Sequence, residues 1–459
     1  MKKIKPFHLA VITAIAILAA ILNPLQMDFN QRILLSCLIF TVAIWATEAI
    51  HKSIACVFLL LSFFIFGKTP PLEILKLTWS GTILLIVTTT LLSVGIMKTG
   101  IVHRYVHKLF QKNSSGVIPL MLLPYIFGVV LVFLIPQAFA RVIIIGTIFS
   151  SLIHANNEEE NKAKQALIFN GFIAITMTYM FFVNGDIVLN QAALNFAGDE
   201  VKQTLSFGKW FTMMLVPTLV TCGVAFLTTY LVFKKDLSAF KKSMIAHDDS
   251  SGNEFSKFKQ QIGVVTMAVI ILFWMTQSIH SIQPWIIALV GVIVMFGAKI
   301  LDKNDLKSVN LHLILFLITV FNIGKVLGQS GITGIIFEHL KQLIPNANSA
   351  TYLLIIATIV MILHLCIGSS VATMSVVLPI LIPLTQSLGY QPEVITLMTY
   401  AIVNIHFLLP FHHATVMIGT AREYYPERSM FRFGLPMTII TFVLLALVYF
   451  PYWRMLGAL

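Results

Sequence analysis

One arginine lies deep in an apolar stretch of this chain: Arg141, within Phe139-Ala140-Arg141-Val142-Ile143-Ile144. A charge at bilayer depth costs at least about 2.5–3.5 kcal/mol, so it must face a cavity or a partner. It follows a proline break at Pro136-Gln137-Ala138. A helix starting there adds its free N–H groups to the positive charge, an arrangement that suits an anion. Asp186 is the single Asp or Glu in the middle of an apolar segment, in Asn184-Gly185-Asp186-Ile187-Val188-Leu189-Asn190. Helix unwinding there would free carbonyls for a cation, so Asp186 and Asn184 could hold sodium or pass a proton. Equally, Asp186 could serve only to neutralise Arg141, because intramembrane charges usually pair.

A second group sits in the C-terminal half. His406, His412 and His413 are close in sequence, but no His-Glu-x-x-His motif and no Cys accompany them. Anion contact or protonation therefore fits His412 and His413 better than metal binding. His406, like His364 further upstream, reads as a hydrogen-bonded core histidine. Ser369, Ser370 and Thr373 have the side chains of helix N-caps, a role compatible with touching a ligand. Gly-x-Ser-x-Gly, Walker-type and Cys-x-x-Cys motifs are absent from the chain, so catalysis and ATP hydrolysis have no support. No cofactor is implied beyond a coupling ion, Na+ or H+.

The segments that must position these residues are membrane helices. Of 459 residues, 58% are hydrophobic and 11% charged, against about 25% charged in a soluble domain. Soluble enzymes, nucleic-acid binders and disordered scaffolds are excluded as descriptions of the whole chain. The net charge of +12 sits in short loops. With the N-terminus inside, 22 of the 31 Lys and Arg residues fall in cytoplasmic segments and 8 opposite. That bias places the N-terminus in the cytoplasm and the C-terminus outside. The start, Met1-Lys2-Lys3-Ile4-Lys5 before an apolar run, reads as an uncleaved first span of a cell-membrane protein. Cys37, Cys56, Cys222 and Cys366 lie unpaired in apolar runs and read as small hydrophobes.

The chain divides into N-terminal scaffold helices (1–78), a first repeat (79–233), a polar cytoplasmic linker (234–260) and a second repeat (261–459). Residues 91–109 and 322–340 align without gaps, sharing Gly100/Gly331, Ile101/Ile332 and Leu109/Leu340. Each is followed by two apolar arms around a break, 116–153 with Pro136 and 350–388 with Ser369. A segment with polar residues at mid-span comes next, 165–197 and 394–419, and then a long helix with a proline, Pro217 or Pro436. Loop charges invert one half relative to the other. The expected fold is all-α and polytopic: an inverted-topology repeat with about 11 transmembrane helices and two re-entrant helical hairpins. That architecture belongs to secondary transporters with a site near the midplane. Residues 101–112 form an amphipathic stretch suited to the inner leaflet surface.

The second hairpin, Gly368-Ser369-Ser370-Val371-Ala372-Thr373 running into Val377-Leu378-Pro379-Ile380-Leu381, resembles that of the divalent anion/sodium symporters. In that family a Ser-Asn-Thr tip precedes the same Leu-Pro-Ile ending. Phe407-Leu408-Leu409-Pro410 onward matches the point where the family breaks a late helix. The first tip reads Pro136-Gln137-Ala138 where Ser-Asn-Thr is expected, and His412-His413-Ala414-Thr415-Val416 occupies the second break. The resemblance implies a transporter of a small di- or tricarboxylate-like or sulfate-like anion, ion-coupled, working by elevator motion as a homodimer in a lipid bilayer. Together with the residue reading above, it puts Gln137, Arg141, Asn190, Ser369, Ser370, His412, His413 and Thr415 at the anion, and Asn184, Asp186 and Ser369 at the coupling ion. A cation/proton antiporter or arsenite-type carrier of the same superfamily is the alternative, and a membrane-embedded metalloenzyme a distant one.

Overall fold

The computed structural model describes residues 6–47, 49–112, 116–245, 256–343, 350–409 and 412–459. The acidic stretch Asp248–Asn253 of the expected linker, and Pro410, lie outside the described residues. Within them the chain is helical, and the β pairing is a single bridge between Ile153 and Ile245. Helices α1 (Pro6–Leu22), α2 (Phe29–Thr47), α3 (Lys52–Phe66) and the short α4 (Pro71–Lys76) precede α5 (Gly81–Lys98) and α6 (Ile101–Lys112). Next come α7 (Val117–Leu134), α8 (Ala138–Leu152), α9 (Glu158–Thr178), α10 (Ile187–Ala197), the short α11 (Asp199–Thr204) and α12 (Phe207–Leu237). The second half comprises α13 (Lys257–Met275), α14 (Gln277–His280), α15 (Pro284–Gly297), α16 (Leu311–Gln329) and α17 (Ile332–Leu343). It continues with α18 (Ala350–Ile367), α19 (Ser370–Gln386), α20 (Pro392–Ile405), α21 (Ala414–Ala421), α22 (Arg428–Leu444) and, after a π-helical turn, α23 (Phe450–Met455).

The breaks have local causes. Ile135 precedes a proline, which disfavours the helical region, and it is extended at φ −137°. Gly368 ends α18 at φ +68°, the left-handed C-terminal conformation that glycine adopts without strain. Its N–H returns to the His364 carbonyl at 2.9 Å. Asn157 caps α9 through the Glu160 N–H, and three glutamates follow in its first turn, complementing the helix dipole. These breaks also shorten the helices. Among the described residues six helices are long and apolar enough to cross a membrane. Ala138–Leu152, Ile187–Ala197, Ser370–Gln386 and Pro392–Ile405 are shorter apolar arms of interrupted units. On α12, α13, α15 and α22, exposed Leu219, Leu231, Val265, Leu272, Val290, Ile293, Leu435 and Ile439 present an apolar surface fit for lipid.

The packing crosses between the halves. Helix α10 lies against α19 and α20, while α21 lies against α8 and α9. The pair α13–α15 packs on α5, and α2–α3 leads to α16, so each helix pair supports the other half. Amphipathic α6 buries Val102, Val106 and Phe110. Phe110 meets Phe149 of α8 at 4.6 Å between ring centroids, so one face of α6 belongs to the core. At the membrane edge Lys98 binds Asp302 (2.9 Å) and Asp305 (2.8 Å), tying α5 to the loop before α16. The Lys98 hydrogen bond holds the Asp302 carboxyl below the usual carboxylate range.

Helices α7 and α9 meet at Gly128, where an added Cβ would sit 2.1 Å from Thr178 Oγ1. Gly128→Ala should lower the thermal unfolding temperature through an overpacking cost of about 1–3 kcal/mol. Gly128→Ala/Thr178→Ala should recover part of it. An unchanged unfolding temperature for the single variant would contradict this close approach.

Candidate functional site

The first break is closed by its own backbone. After α9 the chain makes a 3₁₀ turn at Tyr179–Phe181 and runs extended through Phe182. The Phe182 carbonyl accepts from Gly185 N at 2.7 Å and from Asn190 Nδ2 at 2.8 Å. Asp186 caps α10, its carboxylate accepting from Val188 N at 3.1 Å. Residue 185 must be glycine, because a Cβ there would lie 1.8 Å from the Tyr179 carbonyl oxygen. The first hairpin tip docks on this turn, with Ile187 N donating to the Pro136 carbonyl at 3.3 Å.

Arg141, in the first turn of α8, is fully buried. Its Nη2 donates to the Gly185 carbonyl, while Nε and Nη1 have no hydrogen-bond partner. Asp186, Tyr179 and Tyr400 are the ionisable groups around the guanidinium. Among the described residues, no ion pair within 4.0 Å joins Arg141 to Asp186; arginine takes the neighbouring backbone and the carboxylate takes the helix start. A neutralising contact pair is therefore not what holds either residue. Gln137, at the N-cap position of α8, turns away to Thr90 of α5, donating from Nε2 to Oγ1 at 2.5 Å.

The second break has a different chemistry. Ser369 caps α19, accepting from Ala372 N at 3.5 Å. Ser370 Oγ reaches the carbonyls of Val403 (3.0 Å) and His412 (3.1 Å), fastening the second tip to the second break. Thr373 Oγ1 bonds the Ser369 carbonyl and lies 3.0 Å from His364 Nδ1. His364, His406 and His412 are fully buried and gather ring to ring, at 6.0 Å and 5.3 Å from His364. His406 departs from the expected hydrogen-bonded core histidine, since neither of its ring nitrogens has a partner. His412 Nδ1 accepts from Leu408 N at 3.2 Å. Thr415 is buried in the first turn of α21. Among the described residues no group of three or more His, Cys, Asp or Glu is placed to hold a metal.

The two breaks meet at His413 and at two residues that the sequence reading left out, Tyr179 and Asn404. Tyr179 donates its phenol proton to Asn404 Oδ1, and His413 Nε2 lies 2.9 Å from the same phenol oxygen. With that proton committed to Asn404, the imidazole Nε2 is the donor to the tyrosine. Asn404 Nδ2 completes the group by bonding the Tyr400 carbonyl at 2.7 Å. Arg141, Asp186 and Asn190 thus surround the first break, Ser369, Ser370, His412, His413 and Thr415 the second, and Tyr179–Asn404–His413 links them. The available signal was position: Tyr179 and Asn404 are polar residues just before each break in otherwise apolar helices. Asn184, half-buried, instead faces a cavity of about 350 Å³. Thr82, Lys202, Ser206, Gln283 and Trp285 line that cavity across from it.

A family model described as the sodium:sulfate symporter transmembrane region matches residues 3–459. A membrane protein of Cupriavidus necator is 21% identical over 98% of this chain and 92% of its own length. An uncharacterized transporter of Schizosaccharomyces pombe is 26% identical over 55% of this chain and 29% of its own length. Among solved structures, the YdaH transporter of Alcanivorax borkumensis, described as having an unusual topology, aligns with a TM-score of 0.48. Its identity is 15%, over 81% of this chain and 85% of that one.

Tyr179→Phe removes the donor to Asn404 and the acceptor for His413 in a buried position, a loss of about 1–3 kcal/mol. The variant should unfold at a lower temperature than wild type. Equal stability would show that the two breaks are not joined through this phenol.

Proposed function

The chain belongs to the sodium:sulfate symporter transmembrane family, and on that premise we propose that it carries a small oxyanion, a carboxylate or sulfate-like group, bound by Arg141. As a member of that family it is a membrane transporter and not an enzyme, which sets aside the metalloenzyme alternative. The observation that carries the proposal is a fully buried guanidinium with two donor nitrogens unpartnered beside a helix start. Leaving such donors unmatched is costly, and an oxyanion supplies the acceptors and the opposite charge. Asn190, Ser369, Ser370, His412, His413 and Thr415 complete the anion side in this reading. Gln137 steadies the first tip against α5 through Thr90.

Asp186, Asn184 and Ser369 are the proposed coupling-ion residues, with sodium or a proton as the ion. The family favours sodium. The imidazoles at the second break offer a proton site as the alternative. The crossed packing of α8, α9, α10, α19, α20 and α21 supports a single moving unit, with α5, α16 and their helix pairs as the scaffold. In this reading the chain forms inverted repeats with re-entrant hairpins in a cell membrane, with its N-terminus in the cytoplasm, and works as a homodimer. The cavity at Asn184 and Lys202 provides the anion's route between the two units.

Arg141→Ala should reduce anion uptake into proteoliposomes by up to about 100-fold while the protein stays monodisperse, because one lost charge-assisted contact is worth up to about 3 kcal/mol. Sulfate, phosphate, citrate and a C4-dicarboxylate are the anions to screen, by thermal stabilisation and then uptake. Wild-type uptake by Arg141→Ala would remove Arg141 from the anion site. Imposed separately, sodium and proton gradients decide the coupling. Uptake that changes with pH, with the change lost in His413→Gln or His412→Gln, supports the imidazoles. Strict sodium dependence with a flat pH response assigns coupling to Asp186, Asn184 and Ser369 alone.

A further inference from the structure

Away from the site, a polar pocket of about 270 Å³ opens where α9 begins, α12 ends and α22 begins. Lys162, Gln165, Phe233, Asp236, Arg428 and Arg432 line it. Its charges are not balanced. Arg432 is held on three sides: Nη1 on Asp236 at 2.8 Å, Nη2 on the Val232 carbonyl at 2.8 Å, and the guanidinium 4.5 Å from the Phe233 ring centroid. That uses the one carboxylate in the pocket. Lys162 and Arg428 are exposed and take no part in the ion pairs found among the described residues. Three cations therefore face one acid.

The surroundings select the kind of anion. Lys162 stands just beyond the three glutamates that open α9, Arg428 and Arg432 both come from the start of α22, and Lys234 and Lys235 lie in the last turn of α12. Directly beyond Arg428 and Arg432 the surface turns apolar, with Phe431 51%, Leu435 54% and Leu231 60% exposed. A basic pocket at the edge of an apolar helix face matches a headgroup between membrane helices. The cavity admits a headgroup, and the strip of α12 and α22 beside it can lie along acyl chains. A free phosphate would make no use of that strip.

We propose that this pocket binds the phosphate headgroup of an anionic phospholipid, with Lys162 and Arg428 as the ligating cations and Arg432 as the fixed floor. The lipid would bridge α9, α12 and α22, which belong to different halves of the chain, and so stabilise their junction. This does not depend on the reading of Arg141.

The test uses full-length protein in detergent, delipidated and supplied with phosphatidylglycerol or with phosphatidylcholine. Thermal unfolding and native mass spectrometry are the readouts. Phosphatidylglycerol should raise the unfolding temperature by several degrees more than phosphatidylcholine and remain bound in the mass spectrum. High salt should weaken the effect. Each cation near an anionic surface contributes about fivefold in affinity, so Lys162→Gln/Arg428→Gln should bind roughly 25-fold more weakly. Lys303→Gln/Lys307→Gln, the same charge change on an exposed loop elsewhere, should bind as wild type. Equal stabilisation by both lipids, or an unchanged response in Lys162→Gln/Arg428→Gln, would overturn the proposal. So would full stabilisation by inorganic phosphate alone, which would make the pocket a site for a soluble anion.

Discussion

Backbone that leaves helical geometry inside an apolar protein has to find new partners for every N–H and C=O, and the centre of this molecule is organised by that demand. At the first break the Phe182 carbonyl takes two donors, Gly185 N and Asn190 Nδ2. The Gly185 carbonyl takes Arg141 Nη2, and the Pro136 carbonyl takes Ile187 N. Each bond joins a broken helix to a hairpin tip or to itself. The positions of Arg141 and Asp186 follow from this backbone accounting, since both side chains are bound to main-chain groups. Gly185 is the hinge of the arrangement, because a side chain there would collide with the Tyr179 carbonyl.

The same demand is met differently at the second break. Ser370 fastens the tip to the Val403 and His412 carbonyls, and His412 Nδ1 receives the Leu408 N–H. Side chains do there what backbone and arginine do at the first break. The two ends of the site are thus chemically unlike: a guanidinium with a carboxylate on one side, a group of imidazoles and hydroxyls on the other. Tyr179, Asn404 and His413 hold these halves at a fixed separation.

Around this centre the helices carry the load by packing. The exchange of supports, α13–α15 on α5 and α3 on α16, ties the halves together. Ion pairs stay at the margins: Lys98 with Asp302 and Asp305, Lys209 with Glu393, Lys241 with Glu160, Arg432 with Asp236. Charge at the ends and apolar surface between them is the distribution a bilayer requires.

The sequence by itself determined the solvent, the order of elements and the location of the breaks. Apolar runs of membrane length, Pro136, Gly368 with Ser369, and the Asn184-Gly185-Asp186 turn are local signals, and backbone sterics act locally. It also marked Arg141 and Asp186, because a charge in an apolar run needs no neighbour to be conspicuous. Tertiary structure alone decided what those residues touch. Arg141 meets a backbone carbonyl and not the Asp186 carboxylate, and Gln137 turns to Thr90 on another helix. Tyr179 finds partners 225 and 234 residues away in Asn404 and His413. Those contacts arise from how breaks from two halves are brought together, and hydrogen-bond geometry at that range leaves no trace in residue spacing. Composition and periodicity therefore name the kind of molecule, while the pairing of its polar groups is a property of the packed chain.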